Sequence, residues 1–416
     1  MFFGRPTLLV INFMSLRIPL LKRLTTASLL VAICINLIPT IVVACPFCNA
    51  VSQTLRQEMA AMDSVVIAIS MQDAADRDAE TGKLQMKVVQ VLKGGDLVKI
   101  GDEIEAIYYG DVTKGRRFML SGVDPPQLQW SCLPVTARAE DYIGKMNALA
   151  DDDLVRLRFY YQFLQDEESM LARDAYDEFA IAPYDAVKKL APEMDHDQLV
   201  TWISDSEMPT DRKRLYLTML GVCGGKDDLP LLEKMLRSTS KSSRGGLDAM
   251  IACYLTLGGE DGLGLINELF LANKQAPYAD TYQAIMAIRF HGTEGDVIPR
   301  SALVESLHHV LDRKDLADLV IPDLARWSDW SQIDRLVNLF VNADPENNWV
   351  RVPVVNYLRA CPLDSAKEAL KKIEEIDPES VRRANTFFSI PVPARDKGSS
   401  SSSIQTIPPK QIALVG

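Results

Sequence analysis

Leu220-Gly221-Val222-Cys223-Gly224 is the stretch of sequence that decides the fold, because it ends one helical pattern and leads into another. Four later stretches do the same: Leu257-Gly258-Gly259, Phe290-His291-Gly292, Trp327-Ser328-Asp329 and Ala360-Cys361-Pro362. Between their first residues the intervals are 37, 33, 37 and 33 residues. An interval this regular predicts pairs of helices that repeat along the chain.

The connections between the predicted helices share a second feature. Asp228-Leu229-Pro230 places proline in the first helical turn, where its missing N–H group leaves no hydrogen bond unmade, and a leucine-rich helix follows. Asp296-Val297-Ile298-Pro299 has the same arrangement. From about Asp151 to Ile376 this pattern resembles HEAT-type repeats, and the resemblance implies an α-solenoid with a long concave binding surface. Irregular packing of the same helices is the alternative.

Between Ser64 and Gly122 the pattern is typical of strands instead. Four runs are apolar or alternate between apolar and polar residues, and turn residues separate them; the runs are Val65–Ile69, Lys83–Leu92, Glu103–Tyr109 and Arg116–Leu120. Four strands in so short a segment predict a small barrel or sandwich. The predicted fold class is therefore α+β, with a small β barrel followed by a helical array.

The layout of this segment supports a more specific comparison. The segment begins at Cys45. It continues with Val91-Leu92-Lys93-Gly94-Gly95, then with Gly101-Asp102-Glu103-Ile104 and a predicted strand after Gly115. From about Cys45 to Leu133 this order resembles the netrin-like modules of metalloproteinase inhibitors. The resemblance implies a five-stranded OB-fold barrel and, as one alternative function, protease inhibition. Two residues separate Cys45 from Cys48, where the inhibitors have one, so no inhibitor residue is carried over.

Asp124 to Pro134 holds three prolines, too many for a central strand or a helix, and is expected to be a fixed surface excursion. Trp130 within it is a candidate binding residue, since aromatic side chains in rigid loops are good anchors. The alternative is that Trp130 folds back over the barrel.

The first 44 residues are predicted to be a targeting segment. Arg17, Lys22 and Arg23 precede an apolar run that ends at Ala44, which is the pattern of a cleaved signal peptide. The run is also long enough to be an uncleaved membrane anchor. Either reading predicts an exported protein, periplasmic or secreted, or one anchored in the membrane by this segment.

Cys45 and Cys48 are the residues most open to chemistry. Val42-Val43-Ala44-Cys45 resembles the lipobox of bacterial lipoproteins, which implies lipidation of Cys45. Cys45-Pro46-Phe47-Cys48 resembles the redox motif of glutaredoxins, but no strand precedes it. In an oxidising compartment we expect a structural disulfide that involves Cys45 or Cys48, with Cys132 as a candidate partner. Redox activity, metal binding and lipidation are the alternatives.

The composition of the chain excludes some classes of partner. The net charge of -11 and the lack of a basic run argue against nucleic acid or an anionic membrane surface as the partner. Asp174, Asp177 and Glu178 form an acidic cluster that is expected to be a solvated helix face, because no histidine lies nearby. No catalytic residue, cofactor site or metal site is predicted.

These observations predict four segments: a leader at 1–44, a β-rich domain at 45–135, a helical repeat domain at 136–390 and a disordered tail at 391–416. The predicted function is that of a non-enzymatic exported binding or scaffold protein, whose partner is another protein or a peptide. The protein is expected to contact a membrane only through an uncleaved leader or a lipidated Cys45. The alternatives are a thiol–disulfide or metal-handling protein that uses Cys45 and Cys48, and a protease-inhibitor-like barrel.

Overall fold

Five antiparallel strands form a curled sheet in the computed structural model, which describes residues 47–48, 52–77, 80–240, 244–343 and 348–387. The strands are β1 (Ser64–Ser70), β2 (Lys83–Lys93), β3 (Glu103–Ile107), β4 (Arg117–Val123) and β5 (Gln129–Pro134). Their order in the sheet is β3-β2-β1-β4-β5. The two edge strands, β3 and β5, approach each other, so the sheet curls into a half-barrel.

The central strand β1 is buried on both faces. Val65 and Ile67 pack together with residues of the helices, whereas Val66 and Ala68 pack inside the curl of the sheet. Successive side chains on a strand point to opposite faces, so a strand between two apolar layers needs an uninterrupted apolar run. This explains why β1 is apolar from Val65 to Ile69 while β3 alternates.

The prediction of a surface excursion from Asp124 to Pro134 is wrong for the second half of this segment, because Gln129–Pro134 form the fifth strand. β5 lies at an edge of the sheet, and in the described structure it is hydrogen-bonded to β4 alone. Proline at the end of an edge strand removes no ladder hydrogen bond, so Pro134 is compatible with this position. The sequence therefore predicted four of the five strands.

Seventeen helices are described, and all but the first follow the sheet. They are α1 (Leu55–Ala61), α2 (Ala137–Asn147), α3 (Asp153–Tyr161), α4 (Ser169–Ile181), α5 (Tyr184–Leu190), α6 (His196–Ser204), α7 (Thr210–Cys223), α8 (Leu229–Leu236), α9 (Leu247–Gly258), α10 (Leu263–Ile266), α11 (Tyr278–Thr293), α12 (Arg300–His308), α13 (Ala317–Arg326), α14 (Ile333–Asn342), α15 (Asn348–Ala360), α16 (Asp364–Ile376) and α17 (Pro378–Phe387). A π-helical turn, Asn267–Leu271, continues α10. The coarse prediction of an α+β chain, strands first and helices after, is confirmed.

From α3 onward the odd-numbered helices stack on one another. α3, α5, α7, α9 and α11 contact one another in that order, and α13, α15 and α17 do the same further along. Helices α7, α9, α11, α13 and α15 end 33 to 35 residues apart, within a few residues of the predicted ends. Ion pairs join successive helices of the row: Arg214 with Asp248 at 2.9 Å, and Arg289 with Asp323 at 2.7 Å.

One helical run, Leu247–Leu271, is long and apolar enough to cross a membrane by length and composition. Of its most apolar window, 56% is buried inside the protein. Helix α9, which begins this run, packs against α7 and α11. These neighbours cover its apolar side chains, so burial in the protein core explains its composition without a membrane.

Close packing between α11 and the end of α13 depends on a glycine. A methyl group at Gly292 would lie 2.1 Å from the Trp327 ring, whereas a methyl group at Gly144 in α2 would contact nothing within 4 Å. We expect Gly292→Ala to lower the free energy of unfolding by about 1–3 kcal/mol through overpacking. Gly144→Ala should raise it by up to about 1 kcal/mol, because alanine favours the helix. Urea unfolding of both variants checks this, and equal effects would contradict it.

Candidate functional site

Phe47 and Cys48, the first two described residues, are anchored in the protein. Cys48 is disulfide-bonded and only 6% exposed. Cys132, Cys223, Cys253 and Cys361 are free, so the partner of Cys48 lies outside the described residues. The Phe47 ring packs 5.0 Å from that of Phe290 in α11. Cys45 and the leader lie outside the described residues, so lipidation and cleavage stay predictions.

Cys132 does not pair with Cys48, which answers one question that the sequence left open. It lies on β5, half-buried and with a free thiol. Burial raises the pKa of Cys132 to about 11, so the thiol is protonated at neutral pH. A protonated, half-buried thiol is a poor nucleophile and a poor metal ligand.

We therefore expect alkylation of Cys132 at pH 8 to be about 100-fold slower in the native protein than in the unfolded chain, because the thiolate fraction falls with the raised pKa. Iodoacetamide labelling followed by peptide mass spectrometry measures both rates. A native rate equal to the unfolded rate would show that burial does not protect this thiol.

The acidic group on α4 is buried, so its interpretation as a solvated face is wrong. Asp174, Asp177 and Glu178 are each at most 5% exposed. Their oxygens accept hydrogen bonds from the segment that follows the disulfide: the Leu55 amide donates to Asp174 at 2.7 Å, and the Ser52 hydroxyl donates to Asp177 at 2.8 Å. Buried carboxylates are retained where they have such partners. The cluster therefore holds the N-terminal segment against α4.

A guanidinium and a phenol complete this anchor. Arg56 binds both carboxylate oxygens of Glu178, with distances of 3.1 to 3.3 Å. The Tyr142 hydroxyl donates to Asp174 at 2.6 Å. Burial raises the pKa of Asp174 to about 6, although the hydrogen bonds from Tyr142 and Leu55 favour its charged form.

The raised pKa of Asp174 predicts a pH dependence of stability. The folded-state pKa of about 6 lies above the ordinary value of 3.8, so the folded protein holds this proton more tightly than the unfolded chain. The contribution of Asp174 to stability is fully present below about pH 4 and is lost as the pH rises through about 6, a change on the order of 2–3 kcal/mol. Asp174→Asn does not titrate, so we expect the difference in free energy of unfolding between variant and wild type to change between pH 4 and 7. A flat difference would contradict this.

Helix α1, on which the anchor depends, was not predicted from the sequence, although a signal exists. The Thr54 side chain accepts from the Gln57 amide, and the Gln57 side chain accepts from the Thr54 amide. A threonine followed three residues later by glutamine is a capping box, which marks a helix start. The carboxylate cluster has no comparable signal, because its partners lie about 120 residues earlier in the chain.

A groove of about 460 Å³ lies on the curled sheet and contains the candidate binding residue, Trp130. We call it the sheet groove; it is lined by Leu97, Val98, Asp102, Glu103, Ile104, Glu105, Pro126, Leu128 and Trp130. A methyl group at Gly122 would lie 2.8 Å from the Trp130 ring, so this glycine lets the indole cover the backbone of β4. Trp130 thus both packs on the sheet and forms part of the groove wall.

The charges of the sheet groove are all negative, since three carboxylates and no basic side chain line it. Glu105 pairs with Lys83 at 2.7 Å, and Asp102 accepts from the Lys99 amide at 2.8 Å. Glu103 is exposed at the end of β3. The groove therefore combines an indole face and aliphatic side chains with negative charge.

A second concave site lies at one end of the stacked helices. We call it the helix-end cavity; it has a volume of about 250 Å³ and is lined by Tyr184, Lys188, Gly221, Val222, Thr256, Phe290, His291, Glu294, Gly295, Asp296 and Val297. The Phe290 ring contacts the Tyr184 ring, with 5.3 Å between their centroids, and the Phe47 ring. The anchored N-terminal segment therefore contacts the aromatic wall of this cavity.

The described part of the chain contains no group of three or more His, Cys, Asp and Glu side chains arranged to hold a metal ion. The buried carboxylates of α4 have hydrogen-bond donors as partners instead. Neither concave site brings together a nucleophile and a base within hydrogen-bonding distance among the described residues.

By its architecture the chain is an α+β protein, whose described residues form a five-stranded curled sheet followed by sixteen α-helices. No protein family matches its sequence. No curated protein matches it either. Among solved structures, human deoxyhypusine hydroxylase in complex with glycerol matches at 17% identity and a TM-score of 0.24, over 63% of this chain and 89% of that one.

This match stands against the prediction that the protein is not an enzyme, because the matched structure is that of a hydroxylase. We therefore withdraw that exclusion. A TM-score of 0.24 at this identity assigns no reaction to the present chain.

Proposed function

We propose that this is an exported protein that binds a partner protein. An extended basic segment of the partner docks in the sheet groove. Its sheet is proposed to be an OB-like barrel and its helices a HEAT-like solenoid. The observation that carries the proposal is the composition of the sheet groove, where Trp130 and four aliphatic side chains lie among three carboxylates and no base.

The strand order supports the barrel. In the sheet, β1 pairs with both β2 and β4, β2 pairs with β3, and β4 pairs with β5, while the edges β3 and β5 approach each other. An OB-fold closes a five-stranded Greek-key barrel and uses its surface for extended ligands. The row of odd-numbered helices, with ends 33 to 35 residues apart and ion pairs between neighbours, supports the solenoid.

The disulfide supports export. Cys48 is disulfide-bonded, and disulfides persist in oxidising compartments such as the periplasm or the extracellular space. This agrees with a leader that carries basic residues before an apolar run. The burial of Cys48 and Phe47 favours a structural role of the disulfide over a redox cycle.

Charge and shape together define the partner. An extended chain presents alternate side chains to opposite faces, so lysine or arginine can reach the rim of the groove while apolar side chains reach Trp130 and Leu128. Among the described strands, β3 and β5 each pair with one neighbour, so the other edge of either strand offers backbone hydrogen-bonding groups to such a chain. An acidic peptide of the same shape would be repelled.

Titration calorimetry with the peptide KVKFKVK and its acidic counterpart EVEFEVE tests the proposal. We expect the basic peptide alone to bind, and its affinity to fall as salt is raised, because exposed charges are screened. Glu103→Lys, a change at an exposed position, should weaken binding at least about fivefold. Trp130→Ala should weaken it by about 30-fold, as expected for a buried aromatic anchor.

Trp349→Ala is the matched control, because Trp349 is 72% exposed on α15 and lies outside the groove. Its affinity should equal that of the wild type. Equal binding of both peptides, or equal losses in the two tryptophan variants, would refute the sheet groove as the docking site.

A further inference from the structure

His196 is the first residue of α6, and its imidazole lies between two carboxylates. The Nε2 atom is 2.9 Å from the Oδ1 atom of Asp228, and the Nδ1 atom is 3.1 Å from the Oδ1 atom of Asp197. An ionised carboxylate can only accept a hydrogen bond, so both ring nitrogens donate at once only when the imidazole carries two protons. The geometry therefore fits the imidazolium form of the ring.

Asp228 belongs to a different part of the helical array. It ends the turn Lys226–Asp228, directly before α8. Its side chain is 9% exposed, and its Oδ2 atom accepts from the Gly225 amide at 2.9 Å. Because the backbone holds this buried carboxylate in place, its bond with His196 ties the start of α6 to the turn between α7 and α8.

The apolar contacts of α6 and α8 are made with different helices. α6 packs on α7, where the Trp202 ring lies 4.5 Å from the Tyr216 ring, whereas α8 packs on α9. Within the part of the chain that the structure describes, no second ion pair joins α6 to the segment from Lys226 to Leu236. The start of α6 therefore depends on the imidazole for its ionic contact with this segment.

The charge of the imidazole depends on pH in the neutral range. Hydrogen bonds with Asp197 and Asp228 raise the pKa of His196 above its ordinary value of 6.5. The contribution of this contact to stability is therefore fully present below pH 6.5 and is lost as the pH rises through the folded-state pKa.

The other titratable groups around the joint do not change charge in this range. Cys223, at the end of α7, lies near Asp228, and burial raises the pKa of its thiol. Tyr161 of α3 accepts from the Asp195 amide just before α6, and burial raises the pKa of its phenol. The Asp195 carboxylate accepts from the Gln198 amide and caps α6.

We propose that His196 is a pH-dependent lock between α6 and the turn that precedes α8. At mildly acidic pH the imidazolium holds both carboxylates and fixes the start of α6. As the pH rises, the ring loses a proton, one of its nitrogens becomes an acceptor that faces a carboxylate, and the bond to Asp228 is no longer charge-assisted. The start of α6 then opens more often. The lock lies outside the sheet groove, so it does not depend on the function proposed above.

A second histidine of the array provides an internal comparison. The His308 Nε2 atom lies 2.7 Å from the Oδ2 atom of Asp329, which joins α12 to the connection before α14. Arg335 of α14 also pairs with Asp312, which follows α12. A guanidinium keeps its charge throughout the neutral range, so we expect α12 to stay closed where α6 loosens.

Hydrogen exchange of the whole protein at pH 6 and pH 8, corrected for intrinsic exchange rates, tests the lock. Protection of the α6 amides should fall at least about threefold relative to that of the α12 amides, since a charge-assisted hydrogen bond contributes about twice as much as a neutral one. An NMR titration of the same protein should give His196 a pKa above 6.5. A pKa at or below 6.5, or equal changes of protection in α6 and α12, would overturn the proposal.

A matched pair of variants assigns the effect to this side chain. His196→Gln keeps a donor for Asp228 but carries no charge, so protection of its α6 should be independent of pH and should equal that of wild type at pH 8 to within about twofold. His309→Gln is the control, because His309 is exposed and forms no ion pair with a described residue. It should retain the pH dependence of the wild type. Retention of that dependence in His196→Gln would show that another group is responsible.

Discussion

The burial of β1 on both faces is the constraint on which the rest of the structure depends. One face of the strand closes the interior of the curled sheet, and the other face joins the core of the helices through Val65 and Ile67. Neither the sheet nor the first helices can bury these side chains alone. Sheet and helices therefore share a core, and the sheet groove and the helix-end cavity occur on one compact unit of the chain.

Local patterns explain what could be predicted. The ends of α7 to α15 follow from glycine, proline and changes of periodicity within a few residues, and these signals are present in the sequence whatever the tertiary fold. The strands β1 to β4 follow from alternation in the same way. β5 was missed because proline-rich sequence is compatible with an edge strand, and an edge is defined only by the neighbours that a strand lacks.

The candidate sites depend on contacts between distant parts of the chain, which explains why they were not predicted. Asp174, Asp177 and Glu178 have the pattern of an exposed acidic face, and they are buried because the segment around Arg56 returns to them. His291 is one residue of a helix end, and its Nε2 atom meets the Ala252 carbonyl that α9 supplies, a contact between residues 39 positions apart in the chain. Trp130 could be singled out from the sequence, but its surroundings come from β3 and from the loop before it.

The contact between Phe47 and Phe290 joins two parts of the molecule that otherwise have separate roles. Phe47 is the neighbour of the disulfide-bonded Cys48, and Phe290 is a wall of the helix-end cavity. Any event that moves Phe47, such as reduction of that disulfide, must change the shape of the wall. By thermodynamic reciprocity, an occupant of the cavity that prefers the present wall resists that movement by the same free energy.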